Sequence, residues 1–144
     1  QPVFLTPNPE TTLTIPADSE GTISVAAYDH RNNSIYIHSG RGFTRTGDIK
    51  PELTAPGVEV YGALPGKRYG TKTGTSVAAA HVAGAAALLL EWGLVRGNRR
   101  NLSTEEVKSY LIRGAVRDQE IRYPSPVWGY GTLDIYRVLT GGKG

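Results

Sequence analysis

Between Val77 and Leu90 the chain reads VAAAHVAGAAALLL, and His81 is its one polar side chain. No other stretch constrains the fold as strongly. It is apolar on all sides, and a helix with no polar face is expected to be buried in a core. Crossing a membrane takes about 20 apolar residues. This run is shorter and carries a histidine, so no membrane role is expected. Gly93 and Gly97 beyond it fit a helix stop.

The chain has 144 residues, enough to bury a real core as one domain. Sixteen basic residues against thirteen acidic ones leave a net charge of +3. Arg96, Arg99 and Arg100 form the main basic grouping. No basic stripe with interleaved aromatics accompanies them, so they read as a solvated loop and no nucleic-acid partner is expected. Cysteine is absent, which excludes disulfide scaffolds and Cys-based zinc sites. Methionine is absent too, and the chain opens on Gln1-Pro2-Val3. It is therefore expected to be one piece of a longer polypeptide, with any catalytic machinery split.

Residues 1–12 (QPVFLTPNPETT) hold three prolines and read as an extended connector. Gly21–Tyr28 is a short apolar run consistent with a buried strand, and Ser34–His38 (SIYIH) alternates as a second, half-buried one. Pro51–Pro56 and Val58–Leu64 read as brief extended pieces around Gly57, and Tyr69–Thr75 as a strand ending at a tight turn. Ser103-Thr-Glu-Glu106 is a capping box opening a second helix, with Val107, Leu111 and Ala115 on its apolar face. Trp128–Asp134 is a Gly-aromatic turn before a short helix over 135–139, whose cap is expected to be Asp134. Strands followed by helices indicate an α/β architecture.

Chemistry concentrates in Thr73–Gly84, TGTSVAAAHVAG. A serine before a helix is often only its cap. Here Gly74 suits a turn that excludes bulk, and a serine at the helix start has its amide at the positive end of the dipole. An oxyanion formed by hydroxyl attack on a carbonyl needs that environment. The alanines after Ser76 let neighbouring elements approach closely and hold it rigidly. His81 cannot be its base. Five helical residues give a rotation of ~500°, so the two side chains point ~140° apart and sit ~7.5 Å apart along the axis. His81 reads as a buried, satisfied histidine, and His30 and His38 as exposed loop residues. Gly62–Arg68 (GALPGKR) falls one residue short of a phosphate loop. Asn32-Asn-Ser and Asn101-Leu-Ser match a glycosylation pattern that recurs by chance.

The serine thus has the right setting but no base. Its stretch GTSVAAAHVAGAAALL resembles the nucleophile motif of the subtilases, the subtilisin-like serine proteases. Ile23–Asp29 (ISVAAYD), Ser39–Gly57 (SGRGFTRTGDIKPELTAPG) and Trp128–Asp134 (WGYGTLD) are similar, in order, to further segments of that family. The resemblance implies the C-terminal part of a subtilisin-like three-layer α/β domain, with a mostly parallel sheet and a buried central helix. It assigns residues 1–12 to a connector from an upstream, inserted region and 13–140 to the C-terminal half of the peptidase domain. By resemblance Ser76 is the nucleophile, Thr75 assists the oxyanion and His81 is structural. The catalytic Asp and His and the oxyanion Asn would lie upstream of Gln1.

The implied activity is a serine endopeptidase acting on protein or peptide substrates, with the N-terminal half of the same domain as partner. No cofactor is required for the chemistry. Structural calcium is common among relatives, but no carboxylate cluster here has calcium-loop spacing. Three departures, Val77 for Met, Ala80 for Pro and Phe43 for Pro, remove no catalytic group. The lead-in FLTPNPETTLTIP resembles that of spore-germination subtilases, which implies an extracellular or spore-associated setting. Competing readings are a pseudoprotease retained for binding, and an independent structural domain.

Overall fold

The computed structural model describes residues 8–141. The first seven positions of the expected connector lie outside the described residues. At its end, the Thr12 amide donates to the Arg41 carbonyl at 2.9 Å.

Small side chains dominate the first strand, β1 (Val25–Asp29). It pairs antiparallel with β2 (Ser34–Ile35) and parallel with β3 (Leu53–Pro56), in the order β2-β1-β3. The resemblance implies a mostly parallel sheet. The described strands supply its β1–β3 pair and a parallel bridge from Thr54 to Thr132, while β2 runs the other way. The alternation of SIYIH predicts a strand to His38, yet β2 stops at Ile35. Beyond it the Tyr36 amide still reaches the Ala27 carbonyl at 2.9 Å, but the Ala27 amide is taken by the Ser39 hydroxyl at 3.1 Å. A side chain has replaced the ladder. A separate hairpin, β4 (Val60–Leu64) with β5 (Arg68–Lys72), turns over Pro65, Gly66 and Lys67.

Alanine has the highest helix propensity, and the alanine-rich run forms α1 (Thr75–Leu90). It passes directly into a π-helical turn, Glu91–Val95, where the Arg96 amide reaches the Glu91 carbonyl at 3.0 Å. Gly93, expected as a stop, lies buried inside this turn, and a Cβ there would come within 2.3 Å of Leu102 Cδ1. Gly97, at φ 74°, is the stop. Ser103 opens α2 (Thr104–Gly114) with both halves of the capping box formed, and Asp134 caps α3 (Ile135–Thr140) by accepting from the Arg137 amide at 3.0 Å.

Fully buried Leu53, Leu89 and Leu111 join β3, α1 and α2 in one core. The all-round burial expected of α1 is corrected here. Its buried residues are Ala78, Val82, Ala85 and Leu89, a single face, because the described residues supply one packing surface. Ala79, Ala80, Ala83, Gly84 and Ala87 are exposed, and so is Leu88. The π turn also corrects the expected length. Thr75–Val95 is a 21-residue helical run, long and apolar enough to cross a membrane by length and composition.

Candidate active site

Gly74 is the N-cap of α1, at φ 152° and ψ 160°. Residues with a Cβ avoid that backbone region. Its carbonyl receives the amides of Val77 at 3.1 Å and Ala78 at 3.4 Å, which starts the helix without a side-chain cap. Ser76, the second helical residue, is therefore not the cap. It is exposed, and among the described residues its amide and its hydroxyl have no hydrogen-bond partner. Thr75 beside it is half-buried, its hydroxyl likewise unpartnered among the described residues. A free hydroxyl and a free amide thus stand together at the positive end of a helix dipole.

Two hollows meet this turn. One, of about 450 Å³, is lined by Val60, Leu64, Lys72, Ser76, Val77 and His81, so it lies between the hairpin and α1. The other, of about 600 Å³, is lined by Thr75 with Leu13, Val25, His38 and Arg41. His81 is half-buried rather than buried, and its Nδ1 donates to the Val77 carbonyl at 3.1 Å. Ser76 and His81 belong to one continuous helix, so the divergence of their side chains stands. His30 and His38 are exposed, as expected, and His38 packs edge-on against Tyr36 at 5.3 Å. The described residues bring no imidazole and carboxylate together beside Ser76.

The turn is held from behind by Gly57. Its carbonyl accepts from the Gly74 amide at 2.8 Å, and its own amide donates to the Tyr28 carbonyl at 2.9 Å. A Cβ on Gly57 would lie 2.6 Å from Ala27 Cβ and 2.9 Å from the Gly74 oxygen. Gly57→Ala should therefore force β1 and the start of α1 apart, costing about 1–3 kcal/mol. Gly21→Ala, where nothing lies within 4 Å, is the neutral comparison. Thermal denaturation of the two variants checks the contrast.

Sequence reasoning missed a polar chain behind the same turn. Arg31 grips the Asp29 carboxylate through Nε at 2.9 Å and Nη2 at 2.7 Å, and its Nη1 bonds Glu59. The Glu59 amide donates to the Thr73 hydroxyl at 2.9 Å. Asp29 and Thr73 stand at the ends of segments read above, but no periodicity or motif marks Arg31 and Glu59, and nothing in the sequence links the three segments. The hydrogen bonds from Arg31 hold the Asp29 carboxyl down to about 2, against an ordinary value of 3.8. A carboxyl whose pKa falls on folding stabilises the fold above its unfolded pKa, and that contribution is lost as pH falls through the folded one. Asp29→Asn should thus be destabilised at neutral pH and converge on wild type as pH drops from 3.8 to about 2. Urea denaturation across that window reads the effect.

GALPGKR proves to be the hairpin tip, with Gly66 at φ 78° and Lys67 at φ 57°. Its residues bend two strands, and no phosphate cradle forms.

The chain is similar to known proteins in sequence and in fold. A solved structure of the Clostridium perfringens CspB protease matches with a TM-score of 0.89 and 43% identity, covering 94% of this chain and 30% of that one. Subtilisin DY from Bacillus licheniformis is 40% identical over 126 residues, 88% of this chain and 40% of the relative. Bacillopeptidase F from Bacillus subtilis (strain 168) is 32% identical over 136 residues, 90% of this chain and 9% of the relative. The chain thus spans well under half the length of each. The Peptidase S8 family model, described as the subtilase family, matches residues 5–131, and this chain belongs to that family.

Proposed function

We propose that this chain is the nucleophile-bearing C-terminal half of a serine endopeptidase domain that acts on protein or peptide substrates. One observation carries the reading: Ser76 is exposed on a glycine turn at a helix start, its hydroxyl and amide both unpartnered among the described residues. A base from the upstream half takes the Ser76 proton, the oxygen attacks the scissile carbonyl, and the acyl-enzyme is then hydrolysed. The Ser76 amide, assisted by Thr75, faces the developing oxyanion. Nucleophile, base and donors are all protein groups, so the route requires no cofactor.

The upstream half is also the partner that the open side of α1 calls for. That side presents Ala79, Ala80, Ala83 and Gly84, small residues that let another element approach the helix axis closely. We assign it to protein packing, since Ser76 and His81 line the adjoining groove. Residues 1–12 act as the connector and 13–140 as the C-terminal half in this reading. Neither nucleic acid nor membrane is part of the proposal, and an extracellular or spore-associated setting is, on the family resemblance of the lead-in.

Fluorophosphonate labelling of the protein carrying both halves tests the reading. Stoichiometric modification mapped to the peptide containing Ser76 is expected. A folded protein that takes no label would instead be a pseudoprotease.

A further inference from the structure

We infer that Arg31 is a positioning residue for the Ser76 turn, acting through Glu59 and Thr73; this rests on the nucleophile reading above. The chain of contacts begins at a fixed point. Asp29 ends β1, is 8% exposed, and receives two parallel hydrogen bonds from the Arg31 guanidinium. Such a fork on a carboxylate fixes the plane of the guanidinium as well as its position. The remaining terminal nitrogen, Nη1, bonds the Glu59 carboxylate, 28 residues further along the chain. One side chain therefore ties the end of β1 to the segment between β3 and β4.

Glu59 is the link that moves the turn. Its backbone is left-handed, at φ 47°, a conformation glycine adopts readily and glutamate does not. Its amide donates to the Thr73 hydroxyl, while two residues earlier the Gly57 carbonyl accepts from the Gly74 amide at 2.8 Å. Gly57–Glu59 thus holds Thr73–Gly74 at two points, immediately before Thr75 and Ser76. The Gly57 point is enforced by close packing against Ala27 and Ala78. The Glu59 point depends on a residue in an unfavoured conformation whose side chain Arg31 retains. Removing the guanidinium frees Glu59 to relax, and the turn keeps one anchor instead of two.

A merely structural role has a different signature. Arg31 and Glu59 side chains are 52% and 55% exposed, and ion pairs that open to solvent contribute little to stability. Positioning acts on rate, since small displacements of a reacting group are costly. The variants Arg31→Ala, Glu59→Ala, Thr73→Val and Thr73→Ser, in the protein carrying both halves, separate the two. Expected are falls of about tenfold in kcat and in the fluorophosphonate labelling rate for the first three, with KM nearly unchanged; Tm should hold in the Glu59 and Thr73 variants, while Arg31→Ala also loses the Asp29 pair and falls in Tm. Thr73→Ser, which keeps the hydroxyl, should retain the wild-type rate. Glu59→Ala keeps a residue that φ 47° does not suit but loses the carboxylate, so its fall reports the tether. Arg31→Ala combined with Glu59→Ala should lose no more than either alone, as members of one chain do. Wild-type rates in Arg31→Ala and Thr73→Val, or fully additive losses in the double variant, would overturn the assignment. An unlabelled wild type would overturn the nucleophile reading and this inference with it.

Discussion

Ser76→Ala, in the protein carrying both halves, is expected to lower kcat by about a millionfold while leaving Tm where it was. A subtilisin, a relative in this same family, loses about that much when its nucleophile is removed. The physical basis is simple. Alanine removes the one atom that forms the acyl bond, and only the oxyanion donors and substrate binding remain to act on the reaction. The stability half of the expectation comes from this structure. The Ser76 side chain is exposed and its hydroxyl bonds nothing among the described residues, so its removal orphans no partner within this chain. Changes at such positions stay within about 0.5 kcal/mol. A capping serine would behave in the opposite way: its loss costs ~1 kcal/mol and leaves chemistry alone. Gly74 occupies the cap here, so the two roles are separable by measuring kcat and Tm on one variant.

Features that depend on neighbours along the chain are legible in the sequence. The Ser103–Glu106 box, the Asp134 cap and the turn before Ser76 each involve residues within a few positions of one another. Features set by distant segments are not. The apolar texture of α1 predicts complete burial, but texture records how much cover a helix requires, not which chain supplies it. SIYIH alternates like a strand, and only the Ser39 hydroxyl on the Ala27 amide explains why pairing ends at Ile35. In the sequence Gly57 is one glycine among eighteen; its role lies in the approach of Ala27 and Gly74, which close on it from elsewhere in the chain. Lys50-Pro-Glu52 is legible as a family segment and opaque as an ion pair, because its other partners stand at positions 22, 24 and 108.

That ion pair carries the largest expected effect on stability. Lys50 and Glu52 are each 3% exposed, and Lys50 Nζ sits 2.6 Å from Glu52 Oε1 and 2.7 Å from the Thr22 carbonyl. Lys108 Nζ, from α2, reaches the same carboxylate oxygen at 3.0 Å, and the Ser24 amide donates to the other at 2.7 Å. Glu52 thus joins β3, α2 and the segment leading into β1. Glu52→Ala should cost about 3–5 kcal/mol, since it strands the buried Lys50 ammonium with one carbonyl for a partner. Glu52→Gln should cost nearly as much: the amide can still accept from Ser24, but it no longer offsets the positive charge of two ammonium groups. Lys50→Met should be milder, because Lys108 and Ser24 still serve the carboxylate. Lys50→Met with Glu52→Leu should be milder than Glu52→Ala, since replacing a whole buried pair by apolar groups can be close to neutral. Thermal denaturation of the four variants checks that order. Salt separates this pair from the Arg31 link, because screening acts on exposed charges and little on buried ones. The loss in Glu52→Ala should therefore persist at high ionic strength. Activity per folded molecule should also be retained, because the site touches neither Gly57, Thr73 nor Ser76; a variant that stays folded but turns over slowly would mean that β3 transmits the damage to the nucleophile turn.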